Sequence, residues 1–127
     1  MKLLLDTHAL VWWFSEPGRL SKRAASIVAN TSNEILVSAA TAWELAIKVK
    51  LGKVDALPLL ADLTVQLAQE GFEQLPITIS QATRAGLLPL HHRDLFDRLL
   101  VAQSLELDVA ILSADKSLDR YDINRLW

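Results

Sequence analysis

"KLLLDTHALVWW", residues 2–13, opens with an apolar run that stops on an aspartate. Leu3, Leu4 and Leu5 show no polar alternation. That is the pattern of a strand covered on both faces, as in a parallel sheet with helices on either side. Asp6 stands where such a strand leaves the sheet, and Thr7 begins a helical pattern. Taken alone, Asp6 reads as a helix N-cap, accepting backbone N–H bonds at the positive end of the helix dipole. Whether it does more depends on what the other strands bring beside it.

Four further stretches read as strands: "EILVS" at 34–38, "EQLPI" at 73–77, "DVAILS" at 108–113 and, more weakly, "DINRLW" at 122–127. Helical patterns separate them. "HALVWWF" and "SKRAASIVAN" follow the first strand, and "AATAWELAIKVKLG" ends on Gly52 as a helix should. "LLADLTVQLAQEG" ends likewise on Gly71, Ser80 is positioned to cap "QATRAGLL", and Asp94 to cap "DLFDRLLVAQSLEL". Strands alternating with helices predict right-handed crossovers and a small parallel sheet between two helical layers, an α/β/α sandwich. In such a sheet the strand C-termini and the following helix N-termini share one edge, where ligands bind at the point of strand-order reversal.

The chain of 127 residues predicts a single domain, 1–127, able to bury a core without staples. It has no cysteine, which excludes disulfides and thiolate metal sites. The three leucines before Asp6 are too few for a signal peptide, and no stretch has the length of a membrane span. The expectation is a soluble cytoplasmic protein. With 13 basic and 15 acidic residues, the net charge of −2 argues against nucleic-acid binding by bulk charge, while leaving room for a basic rim around an acidic centre. The hydrophobic fraction of 51% is high for this length and points to surface covered by a partner.

Four acids fall on the shared edge. Asp6 ends strand one, Glu44 lies about a turn into the helix after strand two, Asp97 lies in the first turn of the helix before strand four, and Asp115 follows strand four. If strand order reverses between strands one and four, all four face one crevice. Each also has a purely structural reading. Glu44 and Lys48 form an i,i+4 pair that with Thr41 makes a polar stripe; Asp97 completes the cap begun by Asp94; Asp115 is a turn residue. Yet crowded carboxylates raise one another's pKa unless a positive charge lies between them, and no lysine or arginine is obviously placed to supply it. A hard divalent cation is the economical answer, and oxygen-only ligands favour Mg²⁺ or Mn²⁺ over Zn²⁺. Such a site suits hydrolysis of phosphodiesters.

At family order and spacing, "LLLDTHALVWW", "SAATAWELAIKVKLGKV", "HRDLFDRLLVAQS" and "ILSADKSLDRY" resemble the successive motifs of PIN-domain ribonucleases, in particular the VapC-type toxins of toxin–antitoxin pairs. The resemblance runs from Lys2 to about Tyr121. It implies a metal-dependent endoribonuclease acting on RNA, with Asp6, Glu44, Asp97 and Asp115 as the catalytic set. Within that set it implies Mg²⁺ (or Mn²⁺) held by Asp6 and Asp97, Glu44 positioning metal or water, and Asp115 as the fourth acid. Ser113 falls where relatives usually carry threonine, and Thr7 follows Asp6 as in relatives; both are expected to support the cluster. Leu95 departs from the proline common in close relatives. The resemblance also implies that strands one and four are neighbours, and that the partners are a cognate antitoxin and a second copy of the chain.

Two other Mg²⁺ folds fall away. A receiver domain needs an aspartate ending the third strand, where "LPITIS" has none, and a haloacid-dehalogenase phosphatase needs one at position 8, which is histidine. The non-enzymatic alternative, a catalytically silent RNA- or protein-binding module, sits poorly with an intact acid set. His8, His91 and His92 read as structural or rim residues, and Trp12, Trp13 and Trp43 as packing. Lys48, Lys50, Lys53, Arg93, Arg98 and Lys116 flank the acidic edge and are the candidates to track a phosphate backbone. The apolar residues of 7–30 and 39–51 exceed what one sheet face hides, and the resemblance implies what covers them: a second copy of the chain, giving a homodimer, and an antitoxin helix in a groove.

Overall fold

Leu3 and Leu5 pack to one side of the sheet and Leu4 to the other, and all three are fully buried. The computed structural model describes residues 1–91 and 94–127, so that His92 and Arg93 lie outside the described residues. Its strands are β1 (Lys2–Leu5), β2 (Glu34–Ser38), β3 (Glu73–Leu75), β4 (Ala110–Leu112) and β5 (Arg125–Leu126), within a unit of each predicted run or inside it. Every pairing is parallel, in the order β3-β2-β1-β4-β5. The order reverses at β1, between β2 and β4. The Asp6 N–H donates to Leu112 O at 3.2 Å, carrying the β1–β4 ladder to the edge of the crevice.

The layers follow from the side-chain alternation of each strand. Leu3, Leu5, Ile35, Val37 and Leu112 cluster with Ala9 and Leu10 of α1 (Thr7–Ser15), Ala24 and Val28 of α2 (Lys22–Ala29). Leu4, Leu36 and Ile111 cluster with Ala40 of α3 (Ala39–Lys50) and with Leu100 and Val101 of α7 (Leu95–Leu107). Burying each such leucine contributes about 1.5–3 kcal/mol. The predicted three-layer α/β/α architecture is the one observed.

Two details differ from the sequence reading. The helix expected to end on Gly71 is two, α4 (Leu57–Ala61) and α5 (Leu63–Glu70), broken at Asp62 where ψ is 32°. The break lets Leu59 join Leu45 and Ala56 in one cluster while Leu67 joins Phe72 in another. One straight helix could not serve both. The cap of α6 (Ile79–Leu87) is Thr78 rather than Ser80. Thr78 Oγ1 accepts from Gln81 N at 3.1 Å while Gln81 Oε1 accepts from Thr78 N at 3.2 Å, a reciprocal capping box legible as T-x-x-Q. Ser80 instead donates to Glu106 from within the helix.

Candidate active site

Helix α1 starts directly after β1, so Asp6 both ends a strand and caps a helix, its Oδ1 accepting from Ala9 N at 2.8 Å. It is only 6% exposed. Burial pushes its carboxyl above the ordinary aspartate value, against the hydrogen bonds from Ser113 and Ala9 and the charge of His8; the nearby Glu44 pushes it further up. A cap needs one oxygen and no such burial, so capping alone does not account for the placement of this residue.

Glu44 is not the exposed partner of a surface pair. It is 3% exposed, and Thr41, one turn before it, is wholly buried. The Thr7 hydroxyl donates to Glu44 Oε1 at 2.6 Å and lies 3.5 Å from Thr41 Oγ1, while Lys48 Nζ donates to Glu44 Oε2 at 2.5 Å. Burial works against the Lys48 charge, but Glu44, with Asp94 and Asp97 behind it, outweighs burial and raises the lysine pKa. The expectation that no cation stands among the acids is thus corrected: Lys48 is that cation. The i,i+4 spacing showed the pair; only the α3–α7 packing shows that it faces the other carboxylates.

Asp94 caps α7, accepting from Phe96 N at 2.9 Å and Asp97 N at 3.3 Å, so the helix starts as expected with Leu95 in place of proline. Asp97 occupies the first turn of α7. Asp115 caps the 3₁₀ turn of residues 116–120, taking bonds to Oδ1 from Ser117 N at 2.9 Å and Ser117 Oγ at 2.7 Å. Ser113, fully buried, links the parts: its hydroxyl bonds Asp6 and accepts from Asp115 N at 3.0 Å, and its N–H pairs with Leu126 O of β5. Asp6, Glu44, Asp97 and Asp115 line one crevice of about 270 Å³, together with Thr7, Lys48 and His8. Three lining residues lie outside the crevice set expected from the sequence: Asp94, Trp12 and Ala114. Asp94 lies one helical turn from Asp97 at the same helix end, and that spacing was the available signal.

Among the described residues, no three Asp, Glu or His side chains converge closely enough to cage an ion unaided. Mg²⁺ keeps most of its water and takes one or two carboxylates, so its binding does not require such a cage. The carboxylates supply oxygen donors, and burial of Asp6 outweighs the hydrogen bonds and the His8 charge that favour its ionised form. The residues fit such an ion.

The basic flank is smaller than expected. Arg98 is 8% exposed, and its Nη2 donates to the carbonyls of Ala85, Gly86 and Leu88 at 2.9, 3.1 and 3.2 Å. It closes the C-terminus of α6, where the helix dipole favours a cation, and is unavailable to a phosphate. Lys50, Lys53 and Lys116 are exposed or partly so, and His91 stacks edge-on against Tyr121 at 5.2 Å.

A family model described as PIN domain matches residues 3–124. The chain is 35% identical over 118 residues to Ribonuclease VapC22 of Mycobacterium tuberculosis, covering 91% of this chain and 88% of that protein. Its fold is similar to VapBC2 of Rickettsia felis, solved bound to a promoter DNA fragment, with TM-score 0.72 and 15% identity, covering 100% and 99% of the two chains. It is similar also to a toxin–antitoxin complex of Klebsiella pneumoniae, with TM-score 0.67 and 16% identity over 98% and 96%.

Proposed function

The chain belongs to the PIN-domain family, and from that premise we propose that it is the toxin of a toxin–antitoxin pair, a Mg²⁺-dependent endoribonuclease that hydrolyses RNA phosphodiester bonds. The observation that carries this reading is the convergence of Asp6, Glu44, Asp97 and Asp115 on one crevice at the β1–β4 edge, with Asp6 buried beyond what a cap requires. Asp6 and Asp97 would hold the ion. When bound, it supplies an acidified water and offsets charge on the phosphoryl oxygens. Glu44 is fixed from both oxygens, by Thr7 and Lys48, and so presents a rigid acceptor to the attacking water. Ser113 keeps Asp6 and Asp115 in register. Lys48 contributes a positive charge beside the scissile phosphate.

The test is cleavage of RNA by the purified chain with Mg²⁺ or Mn²⁺ and its loss in EDTA. Cleavage undiminished in chelator rejects the metal mechanism, and RNA binding without cleavage in Mg²⁺ identifies a silent module.

The same reading places the protein in the cytoplasm as one domain spanning 1–127, and among the described residues no helix is long and apolar enough to cross a membrane. It also gives the chain two protein partners. Trp43 and Leu51 on and after α3 are 57% and 62% exposed, with Ile47 beside them, and this apolar face supports a homodimer and an antitoxin helix. An antitoxin basic residue reaching the carboxylates would displace the ion, which suffices for inhibition.

A further inference from the structure

The acid crevice does not end at its carboxylates. Through Thr7, His8, Trp12 and Lys48, which line both, it continues into a second trough of about 320 Å³ between α1, the turn after it and the segment following α3. The two have different chemistry. The crevice gathers carboxylates, whereas the trough is lined by Arg19, Lys48 and Lys53 against Glu16 and Asp55. Its lining includes the half-buried indole of Trp12, four residues after His8 on α1 and therefore on the same helix face. The Arg19 guanidinium carbon lies 4.6 Å from the Trp12 ring centroid, and His8 lies 5.6 Å from it at a 38° tilt. Trp127 holds the indole edge-on at 5.8 Å. The only ion pair formed by Arg19 among the described residues is with Glu16 at 3.6 Å, both side chains 58% exposed, too weak to fix it.

A partly exposed indole with a guanidinium stacked on it, flanked by a lysine, is what a single-stranded nucleic acid needs beside a cutting site. Every base offers a π-face to an aromatic or guanidinium plane, and every linkage a negative charge to a cation. Helix geometry sets Trp12 about 9 Å along α1 from Asp6, within reach of the next nucleotide. We propose that this trough is the binding subsite for the nucleotide flanking the scissile phosphate, with its base stacked on the Trp12–Arg19 pair and its outer phosphate facing Lys53. The inference deepens the ribonuclease reading and rests on it. An antitoxin segment is the other occupant such a groove could take; the cations and the continuity with the acid crevice favour RNA.

The test uses a pool of single-stranded RNA oligonucleotides of randomised sequence and the full chain in Mg²⁺. Trp12→Leu and Arg19→Gln are each expected to raise KM about tenfold, with a much smaller change in kcat, and Trp12→Phe to recover most of the loss. In an Asp97→Asn background, RNA should quench tryptophan fluorescence, and Trp12→Phe should remove most of that quench. Arg19 and Lys53 are exposed, so Arg19→Gln and Lys53→Gln keep the test decisive should Trp12→Leu fail to fold. If Arg19→Gln and Lys53→Gln leave KM unchanged and Trp12→Phe leaves the quench unchanged while wild type still cleaves, the subsite is rejected and the ribonuclease reading stands. If the wild-type chain neither cleaves nor binds the pool, both fall together.

Discussion

Lys48 Nζ sits 2.5 Å from Glu44 Oε2, at the centre of a crevice otherwise lined by carboxylates. The ammonium does electrostatically part of what a divalent cation would do there, and the two positive charges are expected to compete. Lys48→Met leaves a buried Glu44 charge without its pair, which costs about 1–3 kcal/mol after allowing for the partial exposure of the lysine. In thermal melts the variant should be less stable than wild type in EDTA and should gain more on adding Mg²⁺. An equal gain in both proteins would show that lysine and metal do not oppose one another.

Asp6 links stability to pH. Burial raises its carboxyl above the ordinary value in the folded chain, so the unfolded state releases this proton at lower pH than the folded one. The stability Asp6 contributes is therefore full below the ordinary carboxylate pKa of about 4 and is lost as pH rises through the folded pKa. Asp6→Asn keeps an oxygen for the Ala9 cap and removes the buried charge. In EDTA at neutral pH its Tm should exceed that of wild type, the two converging on acidification, while cleavage in Mg²⁺ is lost. A wild-type minus variant difference independent of pH would contradict this.

Asp97→Asn should lower cleavage more than about a hundredfold, since even groups that only orient a metal ligand are worth 10–100-fold. The fold should persist, because Asp94 rather than Asp97 caps α7. Circular dichroism and a cleavage assay in Mg²⁺ check both halves. Wild-type cleavage by this variant would reduce Asp97 to a helix-end residue.

Arg98→Met separates structural from RNA-facing cations. It removes charge-assisted bonds to the last carbonyls of α6 and should cost about 2–4 kcal/mol in denaturant unfolding. The salt dependence of RNA binding should keep its slope, whereas Arg19→Gln and Lys53→Gln should flatten it. A flattened slope for Arg98→Met would mean the guanidinium reaches phosphate after all.

The exposed apolar face of α3 gives a prediction about mass. Light scattering on the isolated chain should report twice the 14.1 kDa of one copy, and Trp43→Glu with Leu51→Lys should shift it toward one copy. A concentration-independent monomer in wild type would remove the homodimer.

The strands were legible because "LLL", "ILV" and "AIL" have no polar position to place at a surface, so both faces had to be covered. The acids were legible for a related reason: each stands at a strand end or helix start, and parallel topology puts those on one edge. What escaped was decided between elements rather than along them. Whether Glu44 and Lys48 face solvent depends on α7 lying against α3, and whether Arg98 reaches phosphate depends on where α6 ends. Asp62 breaks a continuous apolar periodicity because Leu59 and Leu67 are claimed by different cores. The Thr78–Gln81 capping box, by contrast, is local and stands in the sequence as T-x-x-Q.

The central strand pairing sets the order in which the crevice assembles. Leu3 pairs with Ala110 and Leu5 with Leu112, residues far apart in sequence, and Arg125 then secures Ser113 through its carbonyl at 3.0 Å. Contacts so distant in sequence are the slow ones to form, since loop closure must precede them. During synthesis the first strand, carrying Asp6, leaves the ribosome long before its partner exists. The crevice therefore assembles only once residues 110–126 have been made, and a nascent chain that stops short of them lacks the proposed site.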